Sequence, residues 1–259
     1  MVRKRSQRLV SNVPNMFTAG NILCGFLSIL MSIEGKVQSA SWLIFAGAFF
    51  DFMDGRIARF TKTQSDIGVE LDSLADFLTF GIAPMILIHQ LGGYTISDWK
   101  LVLPIIFIIA VAFRLARFNV EAQPVKLPYF RGLPSPAAAL FVVSYTMFSS
   151  SFNWDFLDLE KAIVPILIVS SWLMISHVRF LSVFARKRLG RLIEAIILAI
   201  FAILILIRAQ IFVFPIILFY ILFCFARELY LLTNILVKKR SSHEKIQSDS
   251  QSEKETGSS

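Results

Sequence analysis

The stretch DFMDGRIARFTKTQSDIGVELDSLAD, residues 51–76, decides how the rest of the chain is read. It places four aspartates, Asp51, Asp54, Asp72 and Asp76, between sequences apolar enough for a lipid bilayer. On a helix Asp51, Asp54, Gly55 and Ala58 follow i, i+3, i+4, i+7 and line one face. Gly68, Asp72 and Asp76 follow i, i+4, i+8 and do the same on the next helix. The connection at 61–65 is short, so the two helices are expected to be antiparallel neighbours. Their carboxylates would then converge near one end of both.

Outward from this stretch, the composition fixes the class. The chain has 259 residues, is 56% hydrophobic and contains 25 Phe, more apolar content than a soluble domain of this length needs. Apolar runs recur along its length. The expected fold is therefore all-α: a polytopic membrane bundle of about eight transmembrane helices, at ~20 residues per span. Candidate spans are 14–34, 39–60, 66–91, 99–118, 133–150, 161–178, 190–208 and 211–237. With both termini cytoplasmic, only Lys36, Lys100, Lys161 and Arg208 of the 26 Lys and Arg fall on the far side, as the positive-inside rule requires. The runs HVRFLSVFARKRLGR (177–191) and VKKR (237–240) carry much of that bias.

Three parts follow from this division. Residues 1–13 read as a basic cytoplasmic segment on the membrane surface, with no small-residue cleavage site. Residues 14–240 form the membrane-embedded domain. Residues 241–259 are polar, low in complexity and expected to be disordered. The net charge of +8 is accounted for by basic edges against anionic head groups, and a nucleic-acid partner is excluded for want of a basic soluble surface. Cys24 and Cys224 sit in separate apolar runs with no metal or redox spacing, and read as membrane packing.

Carboxylates inside a membrane protein are costly and need partners. Arg56, Arg59 and Lys62 are too few to neutralise four, and they lie at the helix end. An oxygen-only ligand set suits a hard divalent cation, Mg²⁺ or Mn²⁺, which also acts as a Lewis acid toward phosphoryl oxygens. The small residues Gly55, Ala58 and Gly68 leave room for a ligand or the other helix. Arg59 can meet a phosphate with a forked donor. The residues by themselves also admit a carboxylate-lined ion or proton transporter.

The full pattern, D-x-x-D-G-x-x-A-R-x8-G-x-x-x-D-x-x-x-D, resembles the signature of the CDP-alcohol phosphatidyltransferases at every fixed position: Asp51, Asp54, Gly55, Ala58, Arg59, Gly68, Asp72 and Asp76. PNMFTAGNILCG (14–25), SLADFLTFGIAP (73–84), FRLARFN (113–119) and YFRGLPSPAAA (129–139) are similar to the integral-membrane phosphatidylserine synthase branch, Arg131 standing where Lys is commoner. The likeness covers about residues 12–150.

The resemblance implies a phospholipid synthase of the cell (inner) membrane, with its active site toward the cytoplasm. The hydroxyl of L-serine would attack the β-phosphorus of CDP-diacylglycerol, giving phosphatidylserine and CMP. Asp51, Asp54, Asp72 and Asp76 would hold two Mg²⁺ or Mn²⁺ ions, with Asp76 also the general base. Gly55, Ala58, Arg59 and Gly68 would contact the cytidine diphosphate. Asn15, Thr18 and Asn21, on one face of the first span, would reach the base or ribose; interhelical hydrogen bonding is the plainer reading of that face. Arg114, Arg117, Asn119 and Arg131 are the candidates for the serine carboxylate, Arg being suited to bidentate pairing. Snorkelling to lipid phosphates is the plainer role for those arginines. The same chemistry on choline, inositol phosphate or glycerol phosphate is the alternative within the family. A homodimer through the aromatic faces of the last two spans is compatible with the resemblance.

Overall fold

The computed structural model describes residues 2–61, 66–92, 98–121, 129–152, 156–176, 178–181, 210–231 and 233, with side chains from Met16 onward except at some segment edges. The expected span 190–208, most of the basic run 177–191, the run 237–240 and the tail 241–259 lie outside the described residues.

The fold is helical, as the apolar runs require. In chain order come α1 (Val2–Ile33), α2 (Val37–Thr61) and α3 (Asp66–Asp76), which continues through a π-helical turn (Phe77–Ile82) into α4 (Ala83–Gly92). A 3₁₀ turn (Trp99–Leu101) leads into α5 (Val102–Glu121), followed by α6 (Ser135–Ser151) and α7 (Phe156–Ile175). A further helix, α8, spans Gln210–Leu231. Among the described residues, four helical stretches are long and apolar enough to cross a membrane: Met16–Ile33, Ile67–Gly92, Trp99–Val120 and Gln210–Leu231. Helix α1 runs unbroken from Val2, so residues 2–13 are helical and continuous with the first apolar stretch. The sequence reading had no strand in it. The structure adds a two-stranded antiparallel ladder, β1 (Tyr129–Arg131) with β2 (Arg179–Leu181), pairing Phe130 with Phe180.

Two apolar clusters hold the bundle. Ala40 and Ile44 of α2 meet Phe80, Ala83 and Leu87 of the π turn and α4, and Ala139 and Val143 of α6. The larger cluster joins α4 to α8 through Phe107, Val111, Phe141, Tyr145, Leu167 and Cys224. Both cysteines are free and buried, as their apolar surroundings led us to expect.

Helix α1 is the keystone of the half that carries the aspartates. It packs along α2 and also rests on α3, the π turn and α4. Its inward stripe is small and polar: Thr18, Asn21, Cys24, Ser28 and Ser32 are all buried. Small and hydroxyl side chains let helix backbones approach closely where no hydrophobic drive separates helix from lipid. Ser28 Oγ accordingly donates to the Ala40 carbonyl of α2 at 2.8 Å. By contrast, α2 and α3 scarcely touch each other. Helix α1 packs on both, and the expected convergence of the aspartates holds for three of them, whose carboxylates meet across the cleft between α2 and α3.

The ladder ties the entry of α6 to the end of α7. Gly132, at φ +78°, ends β1, and a side chain there would meet the Met174 carbonyl at 2.5 Å and Arg117 Nη2 at 2.7 Å. Its amide donates to the Val178 carbonyl at 2.9 Å, and the Leu133 amide to the Leu173 carbonyl at 3.0 Å. The chain thereby turns tightly into α6 with Ser135 fixed at its start.

Candidate active site

Asp51 of α2 and Asp72 and Asp76 of α3 each present a carboxylate oxygen within 4.8 Å of the other two. The i, i+4 spacing on α3 stacks Asp72 and Asp76 on successive turns, and Asp51 faces them across the cleft. Asp76 is buried, whereas Asp51 and Asp72 are half-buried. Asp54 is also buried, but it is turned toward α1, where it accepts a hydrogen bond from the Thr18 hydroxyl. It remains close enough to Asp72 for repulsion between them.

Each carboxylate has a different set of neighbours. Asp76 Oδ1 accepts from Asn21 Nδ2 at 3.1 Å. Asp72 Oδ1 is buried and has no hydrogen-bond partner. A bare carboxylate oxygen beside two more carboxylates is a costly arrangement unless a cation sits there. Carboxylates alone, with no sulfur or imidazole in the set, are the donors a hard divalent ion takes. The residues therefore fit Mg²⁺ or Mn²⁺.

Arg114 of α5 supplies positive charge from the other side. It is buried, within electrostatic reach of Asp76 and Asp51, and its Nη1 donates to Ser135 Oγ at 2.8 Å. Its guanidinium also lies 5.8 Å from the centre of the Phe118 ring. Buried and hydrogen-bonded in this way, Arg114 is turned inward to the acidic cluster rather than outward to the membrane surface. Arg117, one turn later, is differently engaged: Nη1 donates to the Ile175 carbonyl at 2.9 Å and Nη2 to the Met174 carbonyl at 3.1 Å. It caps the C-terminus of α7, where carbonyls lack intrahelical partners. Asn119 exchanges hydrogen bonds with Ser73 of α3, Nδ2 donating at 3.0 Å. Gly55 and Gly68 are half-buried, each four residues from a cluster aspartate. The side chains of Asn15, Ala58, Arg59 and Arg131 lie outside the described residues.

The sequence pattern thus names the carboxylates, and the structure gathers three of them. It pairs Thr18 and Asn21 with carboxylates, a bond type that the polar face of α1 implied without naming partners. Three residues went unremarked in the sequence. Ser135 holds Arg114, Ser73 holds Asn119, and Thr79 in the π turn donates to the Asn21 carbonyl at 3.0 Å. Hydroxyl residues in apolar helices are the only local signal for them, and that signal does not say which neighbour they meet.

Comparison with known proteins agrees with the motif. The description of the CDP-alcohol phosphatidyltransferase family matches residues 11–184. A CDP-diacylglycerol–serine O-phosphatidyltransferase from Helicobacter pylori is 32% identical over 229 residues, covering 88% of this chain and 96% of that protein. The protein of the same name from Bacillus subtilis is 36% identical over 173 residues, 65% of this chain and 89% of its own length. One from Methanocaldococcus jannaschii is 35% identical over 175 residues, 68% of this chain and 76% of its own.

Proposed function

This chain belongs to the CDP-alcohol phosphatidyltransferase family of membrane enzymes, and we propose that it transfers the phosphatidyl group of CDP-diacylglycerol to L-serine, giving phosphatidylserine and CMP. The observation that carries the reading is the carboxylate cluster of Asp51, Asp72 and Asp76 with the buried Arg114 beside it. An enzyme that moves a phosphatidyl group from a lipid-linked pyrophosphate to serine needs both an acidic centre and a fixed cation for the amino acid's carboxylate. The names of the relatives supply the choice of serine.

Asp51, Asp72 and Asp76, with Asp54 completing the set, are the residues that would hold two Mg²⁺ or Mn²⁺ ions. When bound, these ions supply positive charge to the pyrophosphate oxygens as CMP departs. The remaining work falls to the chain itself. Arg114 receives the serine carboxylate and turns the hydroxyl toward Asp76. Asp76 takes the hydroxyl proton, making the oxygen a competent nucleophile. That oxygen forms a bond to the β-phosphorus, the bond from that phosphorus to the bridging oxygen breaks, and CMP carries away the electron pair. Gly55 and Gly68 leave room for the diphosphate, and Ala58 and Arg59 extend the same face of α2. The cleft between α2 and α3 admits soluble serine from the cytoplasmic face of the cell membrane, while the acyl chains stay in the bilayer.

The test is CMP release by the purified protein from CDP-diacylglycerol with serine, choline, inositol phosphate or glycerol phosphate, with and without chelator. Serine-selective release that stops on chelation is the expected result. Release with a different alcohol alone refutes serine while keeping the family chemistry, and ion transport without CMP release refutes the enzyme reading.

A further inference from the structure

Immediately after Asp76 the helix changes its winding. The Ala83 amide bonds to the Leu78 carbonyl, five residues back, so Phe77–Ile82 is a true π turn between two α-helical stretches. A π turn widens the helix and rephases the side chains beyond it, and such turns concentrate at functional sites. Within this turn Thr79 is fully buried, packed against Gly25 of α1 and Gly47 of α2. A side chain at Gly25 of α1 would collide with Thr79 Oγ1 and meet Thr79 Cα at 3.1 Å. One at Gly47 of α2 would meet Thr79 Cγ2 at 2.6 Å and Asn21 Oδ1 at 3.0 Å. Two glycines thus make room for one threonine and one asparagine.

The hydrogen bonds run in one direction through this knot. Thr79 Oγ1 donates to the Asn21 carbonyl at 3.0 Å, and Asn21 Nδ2 donates to Asp76 Oδ1 at 3.1 Å. Asn21 is fully buried, and its Oδ1 has no partner. The flipped amide would set oxygen against carboxylate, so the Asp76 bond fixes its orientation. Asn21 therefore spends its amide on one oxygen of Asp76, whose carboxylate also lies within 4.8 Å of those of Asp51 and Asp72. We propose that Thr79 and Asn21 are positioning residues for Asp76: the π turn locks α1 through the Thr79 hydroxyl, and α1 in turn holds one carboxylate oxygen so that the other faces the site. This rests on the reading of Asp76 as the residue that takes the serine proton and shares in cation binding. The bond fixes one rotamer of a buried carboxylate, and errors of about 1 Å in such groups cost roughly a hundredfold in rate.

The test uses the full-length protein in lipid nanodiscs as wild type, Thr79→Val and Thr79→Ser. Valine keeps the methyl group against Gly47 and removes only the donor; serine does the reverse. Two quantities are read: Mn²⁺ affinity without substrates, from the paramagnetic resonance of free Mn²⁺, and kcat and KM from CMP release. Thr79→Val is expected to lower kcat at least tenfold, leave both KM values within twofold and weaken Mn²⁺ binding at least threefold. Thr79→Ser is expected to restore kcat and affinity to within twofold of wild type. Wild-type behaviour of Thr79→Val overturns the proposal. So does a Thr79→Ser variant as impaired as the valine, because the methyl packing would then be what counts. Asn21→Ala, which deletes the donor to Asp76 without adding volume, tests the second bond: kcat and Mn²⁺ affinity falling together support the proposal, and unchanged values overturn it. If the wild type uses an alcohol other than serine while Thr79→Val still weakens Mn²⁺ binding, the serine reading fails and the positioning role stands.

Discussion

Replacing Asp72 by Asn should make the metal-free protein more stable and the enzyme inactive. Asp72 is the cluster carboxylate whose Oδ1 is buried without a hydrogen-bond partner, and it faces Asp51 and Asp76 with oxygens within 4.8 Å. Two unit charges at that distance repel by roughly 3 kcal/mol at an effective dielectric of about 20. Water in the cleft and salt reduce this, so we expect a net gain of about 1 to 3 kcal/mol on removing the Asp72 charge. The new amide can also donate to the two carboxylates it faces. For a chain of this length that corresponds to a rise in Tm of about 2 to 10 °C in chelator. Mg²⁺ should reverse the ranking, since the wild type gains stability from binding and the variant gains little. The assay is thermal unfolding of the detergent-solubilised protein in EDTA and in saturating Mg²⁺, with CMP release measured in parallel. An Asn variant that melts below wild type in EDTA, or gains as much from Mg²⁺, would refute the cation-site reasoning whatever its activity.

Three further outcomes follow from individual contacts. Gly25→Ala puts a methyl group against Thr79 Oγ1 and 3.1 Å from Thr79 Cα, and the backbone atom cannot swing aside. Overpacking of about 1 to 3 kcal/mol and a ten- to hundredfold fall in kcat are expected, read by thermal unfolding and CMP release; unchanged values would show that α1 has slack against the π turn. Arg114→Lys keeps the charge but loses the forked donor held by Ser135, and should raise the KM for serine at least tenfold with little change in that for CDP-diacylglycerol. An equal rise in both constants would argue against Arg114 as the serine anchor. Arg117→Ala removes two hydrogen bonds to the end of α7 and should cost about 1 to 3 kcal/mol in unfolding while sparing the serine KM. A selective rise in that KM would reassign it to substrate binding.

The carboxylate pattern was legible because helix spacing is a strong constraint: Asp72 and Asp76 must share a face if residues 66–76 are helical, and they do. The apolar runs likewise marked most of the helices, four of which, among the described residues, are long and apolar enough to cross a membrane. What spacing could not give was the third body. Asp51 and Asp72 meet across a cleft because α1 packs against both their helices, and α1 does so through Thr18, Asn21, Gly25 and Ser28, a stripe that reads in sequence as a weakly polar span. The π turn was equally silent, for its residues, FLTFGI, are as apolar as any α-helical run. The two three-residue strands escaped because their pairing joins residues 129–131 to 179–181, a non-local contact with no periodic signature.

The serine candidates show why charge alone underdetermines a role. FRLARFN offers two arginines three residues apart, and on a helix both lie on much the same side. Their fates diverge according to what stands opposite. Arg114 meets Ser135, which the tight turn at Gly132 delivers to the start of α6, and it faces the acidic cleft. Arg117 meets the bare carbonyls at the end of α7 and is consumed by them. The same turn at Gly132 thus serves both: it brings the hydroxyl that orients one guanidinium and leaves room for the other. The placement of both guanidiniums therefore depends on the register between β1, α6 and α7.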